Sequence, residues 1–447
     1  MTDDRDEGRA VPSGRLARLG VFGRLAGGIA GGVVAEGARR LAAGERPRMG
    51  ALLLTPANAA RVADQLAHLR GAAMKLGQMI SMDAGDLLPA ELTAILARLR
   101  DRAHHMPPAQ LDAVLRGEWG ANWRTRLAHF QAHPVAAASI GQVHRARTHD
   151  GRDLAIKVQY PGVRESIDAD VDNVATLLRV SGLLPGQLDL APLLAEAKRQ
   201  LHQEADYRRE GAMLVRYRAL VGDTRDFVVP TLDAALSTDR VLAMDFVAGV
   251  PVETLEVAPQ ETRDGVAGAL IALVLRELFD WGVMQTDPNF ANYRWQPESE
   301  RLVLLDFGAT RVVEEATASA YRGLILAGLA GDRDAARQAA VAGGFLGAAA
   351  AARHRPPVDR MLDVILAELN RPGPFDFGDR AFVGVLREQG MAMAQDRASW
   401  HVPPVDTLFV QRKISGTALL AARLKARVDV RAMIAALASE PHRQPAG

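Results

Sequence analysis

A short apolar run that ends in an acidic turn constrains this chain more than any other feature. Arg301-Leu302-Val303-Leu304-Leu305 leads directly into Asp306-Phe307-Gly308. Such a run reads as a buried strand, which delivers the Asp306 carboxylate to the strand's end. Nineteen residues upstream stands Asp287, in Gln285-Thr286-Asp287-Pro288-Asn289-Phe290-Ala291-Asn292, so a carboxylate and an amide lie five positions apart. Oxygen donors of this kind suit a hard cation held on phosphate oxygens. A second Asp-Phe-Gly, Asp376-Phe377-Gly378, follows Pro372 and Pro374 without a preceding strand and reads as a loop. Context selects Asp306 and makes it, with Asn292, the candidate metal ligand.

Lysine usage supplies the next clue. Only five of the 54 basic residues are lysines, namely Lys75, Lys157, Lys198, Lys413 and Lys425. Arginine does the generic surface work, so a retained lysine marks a place where a compact ammonium is needed. Lys157 closes Leu154-Ala155-Ile156-Lys157 on the second strand of an expected hairpin. Its strands run over 143–148 and 153–159, joined by the turn His149-Asp150-Gly151-Arg152. Lysine strand, Asp287 with Asn292, and Asp306-Phe-Gly follow the order and spacing of protein-kinase elements. There the lysine grips phosphates, the first aspartate handles the attacking hydroxyl, and the asparagine and second aspartate hold magnesium.

Two places depart from that pattern. Gln285-Thr286 replaces the His-Arg pair that normally precedes the catalytic aspartate. The segment expected to cover phosphates, Ala136-Ala137-Ala138-Ser139-Ile140-Gly141, is alanine-rich where a kinase has glycines. Methyl groups there restrict positive φ and close backbone approach to phosphate. A carboxylate for Lys157 must come from Glu204, Asp206 or Glu210. On one continuous helix Asp206 and Glu210 share a face, with Glu204 about 160° from Asp206. Which of them takes Lys157 is open, and a second carboxylate remains for another cation. That cation is Lys75, in Met74-Lys75-Leu76-Gly77-Gln78, on an otherwise apolar helical stretch.

Composition narrows the class. At 447 residues, two to three domains are expected at about 100–200 residues each. Charge is balanced, 54 basic against 53 acidic residues, which argues against a nucleic-acid partner. Absent cysteine excludes disulfides, iron–sulfur clusters and thiolate zinc sites. No run has the apolar length of a membrane span, and the acidic start does not read as a signal peptide. A cytoplasmic protein, free or peripheral to a membrane, is the expectation. The expected domains are a disordered start over 1–13, a helical extension over 14–110, an N-lobe over 111–247 and a helical C-lobe over 248–447. Within the extension, Gly23, Gly27 and Gly31 recur every fourth residue, which suits a helix face on a membrane, a partner helix or an ordinary packed neighbour. After residue 261 helix dominates, with the strand around 302–305 as the exception.

Together these motifs resemble the UbiB family of atypical kinase-like proteins (the AarF/ABC1 type), and most closely its mitochondrial coenzyme-Q branch with bacterial relatives. The resemblance rests on Lys75-x-Gly-Gln78, the alanine-rich loop, Glu204-x-Asp206, the 285–292 loop and Asp306-Phe-Gly, and it runs from about residue 11 to 433. It implies an α+β, protein-kinase-like bilobal fold whose N-terminal helical extension packs over the active site. By the same resemblance, Lys75 and Gln78 engage Glu204 or Asp206, and Glu210 partners Lys157. The loop Ala136, Ala137, Ala138, Ser139 and Gly141, with Lys157, holds the nucleotide. Adenine hangs from the strand carrying Met244, Phe246 and Val247. Asp287 is catalytic, alongside Lys157 and Lys75. The implied cofactors are ATP and Mg2+, and the implied role is a magnesium-dependent ATPase serving ubiquinone biosynthesis or lipid homeostasis. A small-molecule phosphotransferase and a nucleotide-sensing scaffold stay open beside it. A quinone precursor, anionic lipid and a second copy of the chain stay open as partners. No Ala-Pro-Glu segment follows Asp306, so a peptide-docking platform of the usual kinase type is not expected.

Overall fold

The computed structural model describes residues 105–138, 140–180, 191–394, 396 and 403–439. Lys75, Gln78, Ser139 and the expected disordered start and glycine-spaced helix lie outside the described residues. The described chain divides into two compact units, residues 105–215 with 231–247, and residues 216–230 with 248–439.

The first unit is built on an antiparallel sheet. Strand Gly141–Arg147 pairs with Asp153–Gln159, which pairs in turn with Val241–Asp245. The short strands His129–Phe130 and Ala136–Ala137 line the outer edge of Gly141–Arg147. Gly151, at φ +89°, makes the turn that Asp150-Gly151 foretold. Asp153–Gln159 is central, and six of its seven residues are buried, whereas Gly141–Arg147 alternates toward its exposed end. Behind the sheet lies helix Pro108–Trp119, started by proline, whose missing N–H costs nothing at a first turn. Its Leu111, Leu115 and Trp119 pack with Trp123 on Leu154, Ile156 and Val158. Trp119 donates its indole N–H to the Leu236 carbonyl at 2.9 Å, which satisfies the one polar atom of a buried ring.

Helices Val163–Val180, Ala191–Glu204 and Tyr207–Val221 follow. The single helix assumed across Glu204, Asp206 and Glu210 is in fact two. Asp206 stands between them and accepts a hydrogen bond from the Arg209 N–H at 3.0 Å, so it starts the second helix instead of sharing its face with Glu210. A short polar side chain competing for local backbone donors breaks the helix here.

The second unit is mainly helical, with several small sheets. Helix Gln260–Arg276 runs into a π turn, Glu277–Trp281, ended by Gly282 at φ +58°. Strand Val283–Gln285 pairs with Thr310–Val312. Arg301–Leu304 pairs antiparallel with Tyr293–Gln296 and parallel with Phe227–Val228. Strands 283–285, 293–296 and 310–312 were not legible, because three or four residues are too few to show a period of two. Helices Glu315–Leu329, Arg333–Ala342, Ala348–Arg353, Arg355–Leu369, Ala381–Ala394, Val405–Arg423 and Val430–Ser439 complete the unit. Val274, Leu278, Met284, Tyr321 and Val410 lie in its core. The second Asp-Phe-Gly is no plain loop, since Phe375–Asp376 pairs with Arg427–Val428. Helices and largely antiparallel sheets together make the fold α+β. No helix among the described residues is long and apolar enough to cross a membrane.

Candidate active site

In the first unit, Lys157 and Glu210 join the central strand to a helix. Lys157 sits opposite Val143 on one side and Leu242 on the other. Its Nζ donates to both carboxylate oxygens of Glu210, each at 2.9 Å. Glu210 lies in the first turn of Tyr207–Val221, where the helix dipole favours an anion. Both side chains are nearly excluded from water, at 10% and 2% exposure, so each ion is the other's main compensation for desolvation. The Tyr207 ring lies 5.2 Å from Nζ and adds a cation–π contact. Of the three candidate carboxylates, Glu210 is the one on Lys157. Glu204 ends the preceding helix, and Asp206 caps the next.

The alanine-rich segment is not an open loop. Ala136 and Ala137 form an exposed strand against Val143 and Gln142, and the Ala138 N–H donates to the Gly141 carbonyl at 2.8 Å. Gly141 is buried, and a Cβ there would lie 2.5 Å from the Val158 carbonyl oxygen and 2.7 Å from the Tyr207 hydroxyl. The absent side chain lets the strands and Tyr207 pack closely there. The strand expected to carry adenine is the third strand of this sheet. Met244 is laddered to Ala155, and the Phe246 N–H is already given to the Asp153 carbonyl at 2.9 Å.

In the second unit, Gln285 closes a strand, and Thr286 ties that strand to the acidic turn. The Thr286 N–H and hydroxyl both donate to the Ala309 carbonyl, at 3.2 and 2.8 Å. Gln285-Thr286 thus does structural work where a kinase has His-Arg. Asn289 accepts from the Ala291 N–H at 3.1 Å, which folds Phe290–Asn292 into a tight turn. Asn292 then returns to the loop, donating from Nδ2 to the Asp287 carbonyl at 3.3 Å. Its own carbonyl receives the Leu305 N–H at 3.1 Å, one residue before Asp306. Asp306 Oδ1 accepts from the Gly308 N–H at 3.0 Å and shapes the turn. Asp376 and Gly378 make the same local bond at 2.8 Å, so the turn alone does not define the site.

Sequence reasoning missed two groups. The Arg412 guanidinium meets Asp287 Oδ1 at 3.2 Å. Beside it Lys413 is fully buried with Glu277. Lysine scarcity had marked Lys413, but no motif assigned it. Among the described residues, no three His, Cys, Asp or Glu side chains cluster as a self-sufficient metal cage. One carboxylate and one amide fit a magnesium ion that takes most of its ligands from phosphate and water.

A lysine strand paired to a helix carboxylate, and an Asp/Asn loop wired to an Asp-Phe-Gly turn, define a protein-kinase-like fold. A solved structure, the complex of Rv3197 with erythromycin from Mycobacterium tuberculosis, matches with a TM-score of 0.59 at 26% identity, covering 84% of this chain and 95% of that one. Residues 98–340 match the ABC1 atypical kinase-like domain, and the chain belongs to that family. It is 36% identical over 425 residues to the atypical kinase COQ8, mitochondrial, of Saccharomyces cerevisiae, covering 94% of this chain and 84% of that protein. It is 38% identical over 432 residues to COQ8B of Rattus norvegicus, covering 96% and 81%. Identity to coq-8 of Caenorhabditis elegans is 38% over 436 residues and 95% of this chain, which spans 57% of that protein's length.

Proposed function

We propose that this chain is a magnesium-dependent ATPase of the ABC1 type that serves isoprenoid-quinone biosynthesis at a membrane surface. The observation that carries the reading is the buried Lys157–Glu210 pair, held at 2.9 Å through both oxygens. A surface-driven role would not place a lysine inside the central strand of a sheet. Lys157 would orient the nucleotide phosphates, while Asn292 and Asp306 would hold Mg2+, which neutralises charge on the phosphoryl oxygens when bound. Asp287 would orient the attacking oxygen. Its Oδ1 meets the Arg412 guanidinium at 3.2 Å, which fixes the direction of the carboxylate.

The same reading assigns Lys75 and Gln78 to regulation through Glu204 or Asp206, and the 136–141 segment to nucleotide discrimination. The relatives' names support the quinone assignment. A quinone precursor or anionic lipid is the effector class, and a second copy of the chain is a further candidate partner.

Phosphate fate tests this reading. The full chain is supplied with Mg2+ and γ-labelled ATP, with and without a quinone-precursor phenol or anionic vesicles. Free phosphate, stimulated by either addition, supports the ATPase. Label on the phenol supports a small-molecule phosphotransferase, and absence of both leaves a nucleotide-sensing scaffold.

A further inference from the structure

Helix Val405–Arg423 lies against the 285–292 loop through consecutive turns. Arg412 reaches Asp287, and Gly416 packs so closely on Pro288 that a Cβ would lie 2.1 Å from the proline Cβ. Between them Lys413, 1% exposed, points into the unit. Its Nζ donates to the Tyr293 hydroxyl at 2.9 Å, to Gln285 Oε1 at 3.4 Å, and pairs with Glu277 Oε2 at 3.4 Å.

Glu277 extends the network. It belongs to the π turn and is fully buried. Its Oε1 accepts from the Gln285 N–H at 2.9 Å, two residues before Asp287, and from the Tyr217 hydroxyl at 2.6 Å. The Tyr217 ring sits 5.0 Å from the ring of Phe307, the middle residue of the acidic turn. One ion pair therefore touches the strand entering the Asp287 loop, the strand leaving it through Tyr293, and Tyr217, whose ring lies against Phe307 of the acidic turn.

Stability is a poor explanation for such a pair. Replacing a buried ion pair with apolar groups of similar volume is often neutral or stabilising. Burial lifts the Glu277 carboxyl above its ordinary range against the pull of Lys413, while Glu277 and Tyr293 outweigh burial and keep the Lys413 ammonium charged. What the pair supplies is direction, since two hydrogen bonds and an ion pair from one ammonium fix the loop's two ends relative to the helix. The missing His-Arg before Asp287 leaves that task to other residues.

We infer that Lys413, acting through Glu277, Gln285 and Tyr293, is a positioning residue that holds the Asp287 loop in register for phosphoryl chemistry. This rests on the nucleotide reading given under Proposed function.

The double variant Lys413→Met/Glu277→Gln tests it in the full chain. Glutamine keeps an acceptor for Tyr217 and the Gln285 N–H, so the change isolates the ammonium. Expected are a melting temperature within a few degrees of wild type and amide exchange at 285–292 and 307–310 at least about tenfold faster. The kcat for Mg–ATP should fall about tenfold or more, with KM within about threefold. Unchanged exchange at those amides overturns the inference, as does uniform loss of protection across the unit, which makes the pair merely structural. Should the double variant fail to fold, Tyr293→Phe removes one acceptor without touching charge and should give a smaller exchange effect at the same amides. Wild-type exchange there in Tyr293→Phe overturns the inference. If exchange responds as expected but wild type itself neither hydrolyses nor transfers phosphate, the activity reading falls and the positioning role stands.

Discussion

Lys157 and Glu210 are 53 residues apart in sequence and share two hydrogen bonds of 2.9 Å inside the first unit. The pair fastens the central strand to the following helix, and each charge is compensated in the interior by the other.

Breaking the pair from one side should be costly. Lys157→Met leaves the Glu210 carboxylate buried without its main counter-ion, at a cost of about 3–5 kcal/mol. Lys157→Met/Glu210→Leu should recover most of that stability in urea unfolding yet show no stabilisation by Mg–ATP. Recovery of both would detach the pair from nucleotide binding. Lys157→Arg is no rescue, since a planar fork does not fit the space of a compact ammonium.

Asp306→Asn separates the turn from the charge. Asparagine keeps an oxygen for the Gly308 N–H, so the unliganded protein should melt within a few degrees of wild type. Stabilisation by Mg–ATP should largely vanish, because a hard dication favours an anionic oxygen over an amide. Full retention of the magnesium-dependent shift in a thermal melt would move the metal site elsewhere.

Two neighbouring positions in the alanine-rich segment should behave oppositely. Gly141→Ala drives a methyl against the Val158 carbonyl and Tyr207 hydroxyl, and should cost about 1–3 kcal/mol in denaturation. Ala137→Gly lies on an exposed strand and should cost less than about 1 kcal/mol, while shifting ATP affinity relative to ADP by relaxing the backbone. Equal nucleotide preference in Ala137→Gly and wild type, measured by calorimetry, would free this segment of any role in discrimination.

Legibility in the sequence followed the range of each signal. The 143–159 hairpin announced itself through Asp150-Gly151, and the Asp306 strand through four apolar neighbours, because both are local. The lysine count singled out five positions, and the structure sorts four of them. Lys157 and Lys413 are buried in ion pairs, Lys198 pairs at the surface with Asp172, and Lys425 takes φ +48° after a helix end. Lys413 could not be assigned beforehand, since Glu277 and Tyr293 lie more than a hundred residues away and neither belongs to a motif. Helical spacing alone does not reveal the break at Asp206, because a residue that caps a helix can also be counted along one. The tight pairing of Ala136 and Ala137 was hidden because alanine carries no strand signal of its own.

A last prediction concerns pH and the core of the first unit. His144 is buried and stacked on Phe130 at 5.0 Å, with Nδ1 on the Gln131 carbonyl and Nε2 on Gln142 Nε2, both at 2.9 Å. Gln142 has its oxygen committed to the Met106 N–H at 2.7 Å, so it can only donate toward the ring. Neutral imidazole with the proton on Nδ1 satisfies every partner. A second proton on Nε2 would face the Gln142 amide donor and lose a bond. Burial, helped by His105 and His133 nearby, pushes the His144 pKa down to about 4 against the favourable Gln131 carbonyl. The unfolded chain therefore binds a proton between its ordinary value near 6.5 and about 4 while the folded chain does not. Stability is complete above the unfolded value and falls as pH drops through that window, by roughly 2 kcal/mol at pH 5. Urea unfolding at pH 7.5 and pH 5 should show this loss in wild type and a clearly smaller one in His144→Gln, which cannot titrate. Equal losses in the two proteins would assign the acid sensitivity to other groups.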